Sequence, residues 1–561
     1  MPPRQARPVP SPCPCDRTGG SGERAREPGP AARPMSAQAA SALPEPTPAA
    51  VAEPEQGRGW IFVPAAAAAA ALLVHFACGN RYGVFRDEMY FLACGRHLAW
   101  GYVDQPPAIA VLARIAAELA GTTVMGLRWP AYLAHAATIL VTARLAARLG
   151  GGRVAQALAA VVALASSALL GATHLLTMNA FEPLLWTATA LSVHRAVEDD
   201  RRGGWLLAGA CVGIGLLNKY SLAFWVLALL AGLIATRARR ALASPWLLAG
   251  AALAAALALP NFLWQAGRGF PMLEMLGHMG EKNAEFRWLG YATEVAYEQN
   301  LATAFIWIVG LVSLLRDRPA GSRWLGLAFL AVAAGIGLLH GKPYFLAPAF
   351  PTLLAAGACA LVRTGHPARA AIATGAVAVL AGALSVPFSL PVLSPPAYRA
   401  FLARLGMQGN APREKLDIGA PLPSFFADQF GWPELVASVA AARDTLAPEQ
   451  RARVAVLVQD YGIASAIDLY GPGFGLAPAS SAHNTYWYWG PPPDDATAVL
   501  LVGPLDHDQE VARRLCRKVE RVGETPASEW NMPYERRRPI FACTELVAPF
   551  SSAWAKLRYM Y

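Results

Sequence analysis

Residues 86–107, RDEMYFLACGRHLAWGYVDQPP, are the stretch around which the rest of the chain is organised. They follow an apolar run long enough to cross a bilayer, and another such run begins about twenty residues further on. Charged side chains this close to hydrocarbon are costly, so a cluster of them is a functional hypothesis by default. The alternative is a solvated loop whose charges only end the preceding helix, and the spacing alone leaves both interpretations open.

The composition is typical of a multi-span membrane protein. Of the 561 residues, 55% are hydrophobic and only 15% are charged, and the mean hydropathy is +0.32. The formal net charge of +10 comes mostly from arginines in short clusters between apolar runs, a pattern that orients membrane proteins. Because basic patches with interleaved aromatic residues are missing from the sequence, we expect no nucleic acid among the partners.

Residues 1–58 are rich in Pro, Ala, Arg, Ser and Gly and have no apolar periodicity. Such a segment buries too little surface to offset the entropy of ordering, so we predict a disordered cytoplasmic tail. The rest of the sequence contains no P-loop, GxGxxG, GxSxG or HExxH motif in a suitable context. Nucleotide-driven transport, dehydrogenase and hydrolase chemistry therefore have no supporting motif.

About eleven apolar runs, each close to the length that a bilayer requires, predict a transmembrane domain over residues 59–390. The runs cover residues 60–79, 126–149, 154–173, 178–197, 204–217, 220–236, 245–264, 297–315, 324–340, 344–362 and 370–389. Arginine clusters occupy every second connection, as the positive-inside rule requires if the N-terminus is cytoplasmic. We therefore predict a multi-pass protein of the plasma (inner) membrane, with the lipid bilayer among its partners.

The remaining connections hold the unusual polar residues and are predicted to lie together on the extracytoplasmic face. They are residues 80–125, 173–179, 218–219, 265–296 and 340–344. The first is the long catalytic candidate loop, in which residues 90–100 and 107–119 show the amphipathic periodicity of two short interfacial helices. An odd number of spans also places residues 391–561 outside.

Residues 391–561 contain more charged and turn residues than the membrane region. Apolar, β-rich runs at 454–458 and 498–502 alternate with helix-like segments at 433–444 and 508–519. This alternation predicts a small extracytoplasmic α/β domain with a short, partly parallel sheet.

The eight cysteines form no CxxC pair and show no zinc-ligand spacing. Two of them, Cys516 and Cys543, stand apart from the others in the predicted extracytoplasmic domain. An oxidising compartment favours a disulfide between them.

Asp87 and Glu88 are the first candidates for chemistry. A carboxylate at the membrane–water boundary can act as general base toward an acceptor hydroxyl or amine within hydrogen-bonding reach. Neighbouring residues on a helix point about 100 degrees apart, so the two carboxylates are expected to differ in function. One could be the base, and the other a metal ligand or a hydrogen-bond partner.

Lys219 and Lys342 each lie at an outer junction between two spans, with a tyrosine close behind in the sequence. A lipid-linked phosphate at the membrane surface needs cations at this depth, although snorkelling at helix ends is the alternative explanation. Glu182, early in a span, is costly unless it faces a polar cavity. His174 and His278 could ligate a metal, but a single histidine is more commonly a hydrogen-bonding residue, so a divalent metal ion stays open.

Several blocks of the chain resemble a known family. The first-loop residues quoted above resemble the signature of bacterial relatives of protein O-mannosyltransferases. These are family 39-like glycosyltransferases of the GT-C superfamily, which also contains the lipid A aminoarabinose transferase. Residues 218–221 and 341–348 resemble two further blocks, and residues 460–462, 475–476 and 480–491 resemble the extracytoplasmic tail of one bacterial branch. The resemblance covers roughly residues 60–545.

The resemblance implies inverting transfer of a hexosyl or pentosyl group from a polyprenyl-phosphate donor to an extracytoplasmic protein, lipid or polysaccharide. By this match Asp87 resembles the catalytic base and Glu88 its acidic companion, while Arg86, Lys219 and Lys342 are candidates for binding the donor phosphate. The substrate-binding candidates are Tyr90, His97, Asp104, Glu182, Tyr220 and Tyr344. Many relatives carry an Asp near the start of the fourth span, where this chain has Asn179 and Glu182, so the acceptor and any metal remain open.

Two other functions are compatible with a multi-span protein. A transporter or flippase for a lipid-linked or anionic substrate would need ionisable residues near the middle of spans and on both faces. Here they gather on one side, and the broken-helix repeats common in transporters are not evident. A non-catalytic assembly or scaffold protein would tolerate alanine in place of Asp87 and Glu88.

Overall fold

The computed structural model describes residues 61–199, 202–282, 286–407, 419–504 and 506–561. The predicted tail over residues 1–58 lies outside these ranges, so its disorder stays a prediction.

Seventeen helices precede the C-terminal region in the described ranges. In chain order they are α1 (Val63–Cys78), α2 (Arg86–Arg96), α3 (Ala108–Ala120), α4 (Val124–Arg148), α5 (Arg153–Leu164), α6 (Ser167–Ala172), α7 (Met178–Asp199), α8 (Arg202–Asn218), α9 (Leu222–Ile234), α10 (Pro245–Ala266), α11 (Pro271–Lys282), α12 (Trp288–Glu298), α13 (Leu301–Leu315), α14 (Arg323–Leu338), α15 (Phe350–Leu361), α16 (Pro367–Ser389) and α17 (Pro395–Arg404). Short 3₁₀ segments, Arg237–Ala243 and Pro343–Ala349, follow α9 and precede α15.

Each of the eleven predicted apolar runs coincides with a helix or with two consecutive helical segments. Within the described residues, three helices are long and apolar enough to cross a membrane alone, namely α10, Pro343–Leu361 and α16. A fourth is obtained if α9 and the bent segment after it form one span, and α1, α5, α13 and α14 are shorter apolar helices. The count of eleven spans therefore stays a prediction. Helices α2 and α3 lie where the two loop helices were predicted, whereas α11 and α12 were not predicted.

A break in the third predicted span separates α5 from α6. The carbonyl of Ala165 accepts a hydrogen bond from Asn300 Nδ2 at 3.0 Å. Ser166 caps α6 by accepting from Leu169 N, and its hydroxyl donates to Gln299 Oε1 at 2.8 Å. Backbone groups released inside a helical bundle need such partners, because no water replaces the lost helical bonds. Residues of α6 line the cavity described below, and these hydrogen bonds provide partners at the break.

The C-terminal region is a mixed sheet with surrounding helices. Its elements are α18 (Ser424–Ala427), α19 (Trp432–Asp444), α20 (Pro448–Ala452), β1 (Val454–Val458), α21 (Tyr461–Tyr470), β2 (Ser480–Ser481), β3 (Ala498–Val502), α22 (Asp506–Leu515), β4 (Cys516–Glu524), β5 (Pro539–Leu546) and α23 (Trp554–Leu557). The strand order is β2-β1-β3-β5-β4, with β1 parallel to β2 and β3, and β5 antiparallel to β3 and β4. The predicted strands β1 and β3 and the helix α19 are confirmed.

The prediction of a helix over residues 508–519 is wrong in its last four residues. Helix α22 ends at Leu515, and β4 begins at Cys516 because that segment pairs with β5, whose presence was not predicted. Pairing with a distant strand overrides local helix preference here. The structure joins Cys516 to Cys543 on β5 by a disulfide, with the two Cα atoms 5.7 Å apart.

One apolar core joins the first loop to the C-terminal region. Leu92 of α2 and Ile109 of α3 pack in the same buried cluster as Val436 of α19, Ile463 of α21 and Leu500 of β3. Burying this surface fixes α2 against α21. The start of α2, which carries the acidic pair, is thereby held against the start of α21.

Candidate active site

A cavity of about 1320 Å³ opens where the predicted outer connections meet the C-terminal region. Its walls contain residues from four of those connections, 80–125, 173–179, 265–296 and 340–344, together with residues beyond 390. Of the arginines in the predicted cytoplasmic clusters, none that the structure describes lines this cavity. The volume exceeds the roughly 300–1,000 Å³ of a typical small-ligand site.

The cavity has an apolar part and a polar part. The apolar part is formed by side chains on and after α16, including Leu384, Phe388, Phe401, Leu405 and Met407. The polar part is formed around the start of α2 and by the C-terminal region. It contains Arg86, Asp87, Asp104, Asp428, Asp460, Tyr461, Asn484 and Tyr534. A ligand with a hydrocarbon chain and a polar headgroup matches this division.

Asp87 lies in the first turn of α2, half-buried, in the cavity wall. The hydroxyl of Tyr461, the first residue of α21, donates a hydrogen bond to Asp87 Oδ1 at 3.0 Å. The Asp87 carboxylate is thus presented to the cavity by one element and held by another.

Glu88 points away from the cavity and is fully buried. Its oxygens accept from Arg128 in a two-point ion pair, Nε to Oε1 at 2.7 Å and Nη2 to Oε2 at 2.9 Å. They also accept from the backbone N–H groups of Leu176 and Phe85, each at 2.8 Å. Glu88 therefore anchors α2 to α4 and to the loop before α7, and only Asp87 of the acidic pair reaches the cavity.

Arg86 lies between two tyrosines of the C-terminal region. Its guanidinium is 4.5 Å from the ring centroid of Tyr461 and 5.5 Å from that of Tyr534. Nη1 donates to the Tyr534 hydroxyl at 2.8 Å, and this hydroxyl donates to Asp428 Oδ1 at 2.9 Å. These contacts hold the Arg86 guanidinium in place beside Asp87. Burial, followed by the charge of Asp428, raises the pKa of the neighbouring Glu535 carboxyl well above its usual range.

Asp104 and Tyr90 form the next part of the wall. The Tyr90 hydroxyl donates to Asp104 Oδ1 at 2.9 Å, and Asn484 Nδ2 donates to Oδ2 at 3.4 Å. Burial raises the pKa of Asp104 from 3.8 to about 6, and the negative charge of Asp87 acts in the same direction. Two carboxyl groups with different environments therefore share one polar surface.

Replacing Asp104 with Asn is expected to stabilise the protein at pH 7.5 and to have little effect at pH 4. The folded protein holds the Asp104 proton more tightly than the unfolded chain. The stabilisation from the protonated Asp104 carboxyl is therefore complete below about pH 4 and is lost as the pH rises through about 6. With allowance for a partly open site, we expect the Asn variant to be more stable than the intact protein by about 2 kcal/mol at pH 7.5. Thermal unfolding in detergent at both pH values tests this, and a pH-independent difference would contradict it.

Lys219 and Glu182 neutralise each other at the edge of the cavity. Lys219 Nζ lies 2.9 Å from Glu182 Oε2 and donates to Asn179 Oδ1 at 2.6 Å, while the Ser221 hydroxyl donates to Glu182 Oε1. Glu182 and Asn179 line the cavity, as do Lys342 and Tyr344. Lys342 is thus the lysine of the predicted pair that reaches the cavity wall.

His97 and Tyr220 are the two predicted substrate-binding residues that the structure does not bring to the cavity wall. The His97 ring stacks on Trp489, with centroids 4.4 Å apart. The Tyr220 hydroxyl donates to Asn261 Oδ1 at 2.6 Å.

Among the described residues, no three His, Cys, Asp or Glu side chains are grouped as a metal ion would require. His174 lies in a buried cluster with His75, whereas the ring of His278 is 6.4 Å from that of Tyr561. The divalent metal stays an untested expectation, and no step is assigned to it.

The sequence did not identify Arg128, Asp428, Tyr461 or Tyr534. The position of Arg128 inside a predicted apolar run could have indicated its role, because a charged residue there needs a buried partner. Tyr461 lies in a block that carried the family resemblance. No local pattern distinguishes Asp428 or Tyr534 from other polar residues of the C-terminal region.

Similarities to known proteins agree with this architecture. Residues 104–264 match the family model described as dolichyl-phosphate-mannose-protein mannosyltransferase. The crystal structure of ArnT from Cupriavidus metallidurans in the apo state superposes with a TM-score of 0.57 at 16% identity, covering 86% of this chain and 98% of that chain. The structure of the same protein bound to undecaprenyl phosphate gives a TM-score of 0.55 at 17% identity, with the same coverage. No curated protein sequence matches this chain. The predicted resemblance to GT-C glycosyltransferases is confirmed at the level of the fold, which is mainly helical with a small C-terminal sheet.

Proposed function

We propose that this chain, with its GT-C-like fold, is an integral membrane glycosyltransferase that uses a polyprenyl-phosphate-linked sugar as donor. The acceptor is a hydroxyl or amine of an extracytoplasmic protein, lipid or polysaccharide. The observation that carries the proposal is a single cavity in which an apolar wall, fixed cations and the carboxylate of Asp87 meet. The match of residues 104–264 to a mannosyltransferase family and the bound carrier lipid in ArnT support it.

The apolar part of the cavity suits the first isoprene units of the donor. Lys342 and Arg86 both line the cavity, and we place the phosphate of such a donor beside them. Cations at that position neutralise the charge that develops on the phosphate as the glycosidic bond breaks.

The reaction needs one proton acceptor. The acceptor hydroxyl or amine attacks the anomeric carbon while the bond from that carbon to the phosphate oxygen breaks. Its proton passes to Asp87, and the polyprenyl phosphate leaves with the bonding electron pair. Because attack is direct and no covalent enzyme intermediate forms, the anomeric configuration inverts. Glu88 acts as a positioning residue that holds α2, through its ion pair with Arg128.

The same proposal includes the membrane topology. Eleven spans with a cytoplasmic N-terminus place the arginine clusters inside, and they place the cavity and residues 391–561 on the outer face of the plasma membrane. The gathering of outer connections around one cavity supports this arrangement.

Lipid-linked sugars in cells with and without the chain test the function. We expect mass spectrometry to detect accumulation of one polyprenyl-phosphate sugar when the chain is deleted, and loss of one extracytoplasmic glycan. Restoration by the intact chain, and not by an Asp87→Asn variant, is the matched control. Unchanged lipid-linked sugars and glycans would refute the proposal. A changed distribution of the lipid-linked sugar across the membrane, with no change in glycans, would favour a flippase.

Replacing Lys342 with Gln is expected to weaken binding of polyprenyl phosphate by about 10- to 100-fold, the effect of losing one hydrogen bond to a charged group. Binding of the carrier lipid to purified protein in detergent measures this directly. Lys556→Gln is the control, because Lys556 is exposed and lies outside the cavity wall. Equal affinities for the two variants would remove Lys342 from the phosphate site.

A further inference from the structure

Tyr461 of the C-terminal region contacts three residues of α2, namely Arg86, Asp87 and Tyr90. Its hydroxyl donates to Asp87 Oδ1 at 3.0 Å. Its ring lies 4.5 Å from the guanidinium of Arg86 and 4.4 Å from the ring of Tyr90, measured to ring centroids. The first two turns of α2 carry all three of these residues. The Tyr461 side chain, from a distant part of the sequence, therefore contacts the start of α2 at three positions.

The position of Tyr461 is itself fixed. Asp460 caps α21 by accepting hydrogen bonds from the backbone N–H groups of Gly462 at 2.7 Å and Ile463 at 3.1 Å. The backbone N–H of Tyr461 donates to His483 Nδ1 at 3.3 Å, and the two rings stack with centroids 5.3 Å apart. The main chain at Tyr461 is thus held by hydrogen bonds, and its ring is packed against His483, Arg86 and Tyr90.

Close packing between α21 and α2 depends on Gly462. A Cβ at this position would lie 2.7 Å from Arg86 Nε and 3.0 Å from Arg86 Cγ. Any larger residue would push the two helices apart or displace Arg86. The approach of Tyr461 to Asp87 is therefore built into the packing of the two elements.

Tyr461 also keeps its proton. Burial raises the pKa of the Tyr461 phenol well above its usual range, with Arg86 opposing and Asp87 and Asp104 reinforcing the shift. The Tyr461 hydroxyl consequently keeps its proton at neutral and acidic pH and can donate it in a hydrogen bond to Asp87. A donor to a carboxylate favours the charged form over the acid.

We propose that Tyr461 is a positioning residue for catalysis, which holds the Asp87 carboxylate in its ionised form and in its orientation toward the cavity. This inference rests on the proposed function, in which Asp87 is the base. In this inference the C-terminal region contributes directly to the catalytic centre. The base, Asp87, and the hydrogen-bond donor to it, Tyr461, are 374 residues apart in the sequence.

Tyr461→Phe is the variant that tests the proposal, because it removes only the hydroxyl and keeps the ring between Arg86 and Tyr90. Removing the donor makes Asp87 easier to protonate. We expect kcat to fall about tenfold with the KM for the lipid-linked donor unchanged, and the acid limb of the pH profile to move up by about one unit. Tyr398→Phe is the control, since Tyr398 is a buried tyrosine outside the cavity wall.

A second measurement reports on Asp87 without any glycosyl transfer. Carbodiimide couples amines to protonated carboxyl groups, and peptide mapping gives the extent of modification at Asp87 alone as a function of pH. This separates Asp87 from the other charged or titratable groups around Tyr461, among them Arg86, Tyr90, Asp104, Asp460 and His483.

We expect the pH at half-maximal modification of Asp87 to rise by about one unit in Tyr461→Phe and to stay unchanged in Tyr398→Phe. The same midpoint in Tyr461→Phe and the intact protein would overturn the inference and leave the proposed function standing. An intact protein that transfers no sugar from any lipid-linked donor would overturn the proposed function, whatever the midpoint of Asp87.

Discussion

Asp87→Asn is expected to reduce the turnover of sugar transfer by about 10²- to 10⁴-fold, the usual contribution of a general base. The amide has the shape of the carboxylate and can still accept the hydrogen bond from Tyr461, so the geometry of the cavity should persist. The amide cannot accept a proton from the attacking hydroxyl or amine. The assay is transfer by purified, reconstituted protein, using the lipid-linked sugar that accumulates in cells lacking the chain.

Two controls make the Asp87→Asn result specific. Asp494→Asn removes an exposed carboxylate outside the cavity wall and should leave turnover unchanged. Thermal unfolding of Asp87→Asn should match that of the intact protein, which separates lost chemistry from lost structure. Near-normal turnover in Asp87→Asn would mean that the base lies elsewhere.

Arg128→Met is expected to destabilise the protein by about 3–5 kcal/mol, the largest stability effect that we predict for a single substitution. The change leaves the Glu88 carboxylate buried without its ion-pair partner. It also removes donors to the carbonyl oxygens of Gly79 and Gly83, at 3.1 and 3.0 Å, and to Gln429 Oε1 at 3.1 Å. Arg128 therefore connects α2 and α4 to the chain before α2 and to the C-terminal region.

The pair of Arg114 with Glu118 is the matched control for this prediction. It is the same kind of ion pair, 2.7 Å long, but its side chains are 47% and 61% exposed. Arg114→Met should therefore change stability by about 0.5 kcal/mol or less. Adding Glu88→Gln to Arg128→Met should recover part of the loss, because no unpaired charge is then buried. Equal unfolding temperatures for Arg114→Met and Arg128→Met would contradict this account of Glu88.

The helices of residues 63–389 were largely predictable because their signal is local. A run of about twenty apolar residues is long enough to be recognised without knowledge of its neighbours, and the helices end within a few residues of the predicted bounds. Strands β1 and β3 were predictable for the same reason. Strand β4 was not, because its residues adopt β-structure only by pairing with β5, which begins at Pro539, well beyond the end of β4 at Glu524.

The residues of the candidate site that lie within one segment of the sequence were predictable. Asp87 and Asp104 lie in the first loop, and both line the cavity. Tyr461 and Tyr534 approach that loop from the far end of the chain, and nothing in the spacing of residues indicates such a contact. The different surroundings of Asp87 and Glu88 followed from helix geometry, but which of them would face the cavity did not, because it depends on the position of Arg128.

The most direct test of the central claim, one cavity on the outer face, is sided labelling of single cysteines. The disulfide of Cys516 and Cys543 is kept, and the other cysteines are replaced, namely Cys13, Cys15, Cys78, Cys94, Cys211 and Cys359. Cysteine is then introduced at Asp87, at Lys342 or at Arg144, the last lying in a predicted cytoplasmic connection. We expect a membrane-impermeant maleimide to label positions 87 and 342 in intact cells, and position 144 only after permeabilisation. Labelling of positions 87 and 342 from opposite sides of the membrane would contradict the account.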